Sequence, residues 1–152
     1  MILGLRRGGM RNALSPSVNR KAEELKKRTA EFAKAIIQLC DDMPATQAGR
    51  RIGGQLIDAA TSVNSNYRAA CRARSRAEFI AKLGIVCEEA DECYGWLDLL
   101  ISSGLMSNPR TIALRKEADE LTAIFTASIR TAKKPHRPAA PLPHARVDRD
   151  QS

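Results

Sequence analysis

The sequence predicts an all-α protein, an antiparallel up-and-down four-helix bundle with disordered basic tails at both ends, on three observations. Four long stretches without an interior proline carry apolar residues every three or four positions. Aromatic residues make up only 4% of the chain while Ala, Leu and Ile are plentiful, which suits helices packed through aliphatic side chains rather than a β-sandwich. Helix-start signals stand at the joints: Ser75 with Glu78, and Asn108 with Pro109. A chain of 152 residues suffices for one compact domain. We expect that domain at 17–133, between a flexible basic segment over 1–16 and a disordered Pro- and Arg-rich tail over 134–152.

The first helix should begin near Ser17 or Asn19 and run to about Asp42. Leu25, Phe32, Ile36, Leu39 and Met43, with Thr29 between them, form its apolar stripe, and Glu24, Lys27, Glu31, Lys34 and Gln38 fill the other side. Pro44 closes it, because proline disfavours helical geometry in the residue before it. A second helix should start near Thr46 on the stripe Ile52, Leu56, Ala59, Val63 and Ala70, with Asn66 as a polar exception. Gly49, Gly53 and Gly54 cost helix propensity there, and close packing of a neighbouring backbone is the expected reason. In the third helix Ser75 should accept the Glu78 amide while the Glu78 carboxylate answers the amide of Ser75. Phe79, Leu83, Val86, Ala90, Cys93, Leu97 and Leu100 follow, and Gly104 stands where a left-handed residue ends a helix. Asn108 and Pro109 open a fourth helix along Leu114, Ala118, Leu121, Phe125 and Ser128, ending near Lys133.

The net charge of +8 lies mostly at the ends of the chain, since 16–132 holds nearly balanced charges. Basic tails can hold polyanions by counterion release, or simply be solvated. Both histidines, His136 and His144, fall in the tail, and the four cysteines form no C-x-x-C pair. A di-iron bundle needs Glu-x-x-His on two helices and a zinc site needs clustered ligands, so neither metal nor cofactor is expected. No serine has a usable histidine, and the carboxylates Glu88, Glu89, Asp91 and Glu92 lack a partner base, so we expect no enzyme. Those carboxylates should form a solvated face ion-paired to basic residues of a neighbour. Cysteines used as small apolar residues, and the absence of a signal peptide or an apolar span, give a cytoplasmic expectation without membrane contact. Either Met1 or Met10 can serve as the start.

One basic cluster stands out, Arg68, Arg72, Arg74 and Arg76 in NYRAACRARSR. The helix start at Ser75 sets a turn near Ala73–Ser75, so these side chains should crowd one corner of the bundle, with Lys82 one turn beyond Glu78. Arg50 and Arg51 belong to the opposite end, a helix length away. Guanidinium forks match phosphate oxygens, so all seven are candidates for contact with RNA or DNA. Without interleaved aromatics, base stacking is not part of that grip. The alternative is that these arginines bridge to Asp58, Glu88 and Glu92 of the same or an adjacent subunit. Tyr67, Tyr94 and Trp96 are expected as core or interface fillers.

The segment from Gln55 to Leu105 resembles the bundle proteins encoded within intervening sequences of bacterial 23S ribosomal RNA genes. Ala60, Ser62, Val63 and Asn66 carry the likeness, then Arg72 and Ser75, then Glu78, Phe79 and Leu83, then Glu89 and Glu92. The likeness covers about 19–132. Where much of that family has an acidic residue and glycine after the asparagine, this chain has Tyr67-Arg68-Ala69-Ala70, which resembles a basic branch. The resemblance implies a small cytoplasmic bundle that often assembles as a homopentamer. It also implies kinship with the accessory proteins of diversity-generating retroelements, which bind nucleic acid and a reverse transcriptase. It brings no catalytic residues. Two function classes therefore stand: an RNA-associated homo-oligomer, and a protein-binding adaptor or scaffold such as a reverse-transcriptase accessory protein.

Overall fold

The structure, a computed structural model, describes residues 16–135. Four helices follow one another: α1 (Pro16–Asp41), α2 (Gln47–Ala70), α3 (Arg76–Ser102) and α4 (Pro109–Lys133). The two tails expected over 1–16 and 134–152 lie outside the described residues, apart from Pro16, Lys134 and Pro135. Each helix packs on its neighbours in sequence, and α4 returns to α1 to close the ring. The joints are short, so successive helices run antiparallel.

Local chemistry fixes each joint. Thr46 caps α2, its side chain accepting the Gly49 amide at 3.0 Å. Asn108 caps α4 by accepting the Thr111 amide at 2.9 Å, with Pro109 in the first turn. Gly104 takes φ 72°, and its amide reaches the Ile101 carbonyl at 3.1 Å while the Met106 amide reaches Leu100 at 3.1 Å. That left-handed position spends the freedom only glycine has and satisfies the last carbonyls of α3.

The core holds Phe32, Ile36 and Leu39 of α1, Leu56 and Val63 of α2, Leu83, Val86, Cys93, Leu97 and Leu100 of α3, and Leu114, Leu121 and Phe125 of α4. Thr29 is fully buried as well, its hydroxyl returned to the Lys26 carbonyl at 3.0 Å. One stripe residue differs from the expected set. Tyr67, not Asn66, continues Val63 towards Ala70, with its ring centroid 5.4 Å from that of Phe125. Asn66 instead donates to the carbonyl and hydroxyl of Ser62, both at 3.0 Å, which keeps it on the flank. Burial raises the Tyr67 phenol well above its ordinary value, so it stays neutral.

The expected close approach of a neighbouring backbone holds at Gly49 alone of the three α2 glycines, since Gly53 faces side chains and Gly54 open space. A Cβ at Gly49 would lie 2.1 Å from the Pro44 carbonyl oxygen, and one at Gly53 would lie 3.1 Å from the Met43 sulfur. One at Gly54 would meet nothing within 4 Å.

α1 meets α4 far less than it meets α2, and one clamp spans that seam. The Arg28 guanidinium donates to Glu117 at 2.5 and 2.8 Å and to Glu120 at 2.7 Å. Bonding to Glu117 above all holds Arg28 protonated more firmly than usual.

The four thiols are free. Burial pushes Cys40 up to about 11 and Cys93 up to about 12, with nearby carboxylates adding to each. The thiolate is the reactive form. In the folded protein at pH 8, iodoacetamide is therefore expected to leave Cys40 and Cys93 unmodified, and to reach all four thiols only after unfolding. Peptide mass mapping checks this.

Candidate nucleic-acid interface

α2 ends at Ala70 and α3 begins at Arg76, so the arginine cluster is broken by a turn as the helix-start signal at Ser75 suggested. Arg68 sits in the last turn of α2, Arg72 and Arg74 in the connection, and Arg76 opens α3. Ser75 caps α3 by accepting the Glu78 amide at 3.1 Å. The reciprocal bond differs from expectation: the Glu78 carboxylate accepts the amide of Arg74, at 2.9 Å, rather than that of Ser75. The carboxylate thereby ties down the connection that carries the arginines.

Hydrogen bonding from the Arg74 amide, with the charges of Arg74 and Lys82, lowers the Glu78 pKa. A carboxylate depressed in the folded state adds stability above its unfolded pKa and loses it as pH falls through the folded value. Glu78→Gln should therefore lower thermal stability at neutral pH and remove part of the stability loss seen on acidification below the ordinary carboxylate range. Melting temperatures of both proteins across pH 2–7 check this.

The cluster does not act as one unit. The Arg74 guanidinium lies 3.7 Å from Glu78 while remaining 92% exposed. Arg76 turns to the end of α4, donating to the carbonyls of Ala132 and Lys134. Cationic side chains favour that position, where the last carbonyls of a helix lack partners and the helix dipole is negative. Arg76 is therefore engaged in joining α3 to α4. Arg68 and Arg72 are exposed and have no ion-pair or side-chain hydrogen-bond partner among the described residues. Lys82 is half-buried, its charge acting on Glu78.

Arg50 and Arg51 stand near the start of α2, a helix of 24 residues, and hence towards the other end of the bundle, about 26 Å from Arg68 along the axis. Arg50 donates to the Ala45 carbonyl at 2.8 Å, while Arg51 is exposed. They cannot join the cluster on one face.

The fold adds what the cluster alone did not show. Antiparallel helices bring residues 16–28, 59–88 and 122–135 into one half of the bundle, and 29–58 and 89–121 into the other. The half with the α2–α3 turn has thirteen basic and four acidic side chains; the opposite half has six basic and eleven acidic. Arg130, Lys133 and Lys134 at the end of α4 reinforce the basic half, although they lie far along the chain from the cluster. Both exits of the chain, at Pro16 and Pro135, belong to that half too.

The acidic run of α3 also differs from expectation. Glu88, Glu89 and Asp91 make no ion pair among the described residues. Glu92 accepts the Trp96 indole at 3.1 Å, and of the α3 carboxylates after Gly84 only Asp98 reaches a cation among the described residues, Arg115 at 2.6 Å. Among the described residues no arginine bridges to Asp58, Glu88 or Glu92. Among the described residues no group of three or more His, Cys, Asp or Glu is placed to hold a metal ion. No helix there is long and apolar enough to cross a membrane.

These features define an electrostatically polar four-helix bundle, with a cationic end shaped by a turn and a helix terminus rather than by a pocket. Residues 21–127 match the model of a family described as 23S rRNA-intervening sequence protein, and the chain belongs to that family. A crystal structure of a protein of unknown function from the S23 ribosomal protein family, from Bacteroides thetaiotaomicron, is similar in fold and sequence. It shares 31% identity at a TM-score of 0.64, over 68% of this chain and 96% of that one. No curated protein matches the chain.

Proposed function

We propose that this chain is a non-enzymatic, self-associating cytoplasmic protein that holds RNA through phosphates met by its basic end. The observation that carries this reading is the segregation of charge between the halves of the bundle, with Arg68 and Arg72 exposed and unpaired on the basic side. Guanidinium groups pair with phosphate oxygens in two-point contacts, and a rigid corner presents several at once. The acidic half repels the same polyanion and so orients it. The names of the family and of its crystallised relative, which refer to ribosomal RNA and to a ribosomal protein family, are consistent with this choice of ligand.

Self-association multiplies the effect. Ile37 and Ile112 are uncovered near the acidic ends of α1 and α4, as Val18 and Ile85 are in the basic half, and an assembly built through the first pair leaves the basic end free. In a ring of five, the state the family resemblance implies, weak phosphate sites would add through their effective concentration. The test is binding of a structured ribosomal RNA fragment over a salt series, with mass by light scattering on the same samples. Affinity should fall steeply with salt. Salt-independent binding, or a stoichiometric protein partner and no nucleic acid on native purification, would favour the adaptor reading instead.

A further inference from the structure

The outward face of α3 carries a groove that the basic end does not use. Asp91, Glu92, Gly95, Trp96, Asp98 and Leu99 line it. Gly95 forms its floor, and a Cβ there would meet nothing within 4 Å, so no contact inside the bundle requires a glycine. Glycine in a helix interior costs about 1 kcal/mol relative to alanine. Leu99 is 46% exposed, and Trp96 stands half-buried beside it, its indole held by Glu92. Among the described residues Asp91 and, one turn earlier, Glu88 have no ion-pair partner. This groove is a shallow, open strip of one helix surface, with an aromatic edge at Trp96, a gap at Gly95 and acidic flanks, and such a strip suits an extended chain with prolines, a leucine and cations.

We propose that the C-terminal segment 136–152 of the same chain docks along this groove. That segment reads HRPAAPLPHARVDRDQS, with Leu142 and Pro143 for the indole and Leu99, and Arg146 for the carboxylates. Prolines fix φ in advance, so little conformational freedom is lost on docking in extended form. Reach supports the same occupant. The chain leaves α4 beside the first turn of α3, where Arg76 bonds the carbonyls of Ala132 and Lys134. From Arg76 to Gly95 is about 28 Å along the helix. At about 3.1 Å per residue, nine or ten extended residues beyond Pro135 cover that distance, which brings Leu142 to Arg146 alongside the groove. A tethered segment also meets its site at an effective concentration that a separate peptide lacks.

Trp96 is the single tryptophan, which makes its fluorescence a specific report. The test compares acrylamide quenching in the full-length protein, the Leu142→Asp/Arg146→Asp variant and the Asp91→Lys variant, at low and high salt. Acrylamide is neutral, so added charge does not attract or repel it. Either variant, or salt alone, is expected to raise the quenching constant about two-fold, as the face of the indole returns to water. Quenching that is the same in the tail variant and the unchanged protein would overturn the proposal. So would protection of Trp96 that disappears on dilution, since a second copy would then be the occupant.

Discussion

Gly49→Ala is expected to destabilise the bundle by about 3 kcal/mol, while Gly54→Ala, five positions along the same helix, should stabilise it by about 1 kcal/mol. The two glycines look alike in sequence and differ only in what lies beyond them. A methyl group at position 49 would sit 2.1 Å from a backbone oxygen, that of Pro44, and no side-chain rotation can clear it. The α1–α2 corner must open, and with it go the Thr46 cap on the Gly49 amide and the Arg50 bond to the Ala45 carbonyl. Loss of a cap alone costs about 1 kcal/mol. At position 54 the methyl group enters open space and removes only the entropic penalty of glycine. Thermal melts should separate the pair by about 10–15 °C. Equal melting temperatures would mean that the corner does not pack as described.

The second large effect concerns the basic end. Replacing Arg68, Arg72 and Arg74 together with alanine should reduce the slope of log affinity against log salt by about three, and lower RNA affinity on the order of 100-fold at low salt. Arg76 is left in place because it joins α3 to the end of α4, so its loss would mix stability with binding. The three altered side chains are exposed, and only Arg74 has an ion pair among the described residues. Circular dichroism of the variant should therefore match that of the unchanged protein.

Much of this architecture was legible in the residues. Helix joints announce themselves through side chains that bond to nearby backbone, such as Ser75 to Glu78 and Asn108 to Thr111, and such bonds span only a few positions. The α2 stripe was harder to read because Val63 to Ala70 can be stepped through either 66 or 67. Spacing alone accepts both, and the aromatic ring of Tyr67 against Phe125 decides it. The site was harder to read. Arg76 reaches carbonyls 56 and 58 positions away, and no local pattern signals that contact. Charge was hidden for another reason: acids and bases nearly balance along 16–132, and their separation emerges only when alternate helices are laid antiparallel. An up-and-down topology applied to the sequence would have placed Lys133 and Lys134 with the Arg68–Arg76 cluster.

The most direct test sets one end of the bundle against the other. Binding of the same RNA over a salt series would be compared for Arg68, Arg72 and Arg74 changed to alanine and for Arg50, Arg51 and Lys116 changed to alanine, two variants of equal net charge. A localised basic interface predicts weakened affinity and a shallower salt slope in the first variant, with the second close to the unchanged protein. Equal losses in both would show that RNA responds to total charge alone, and would contradict a binding end.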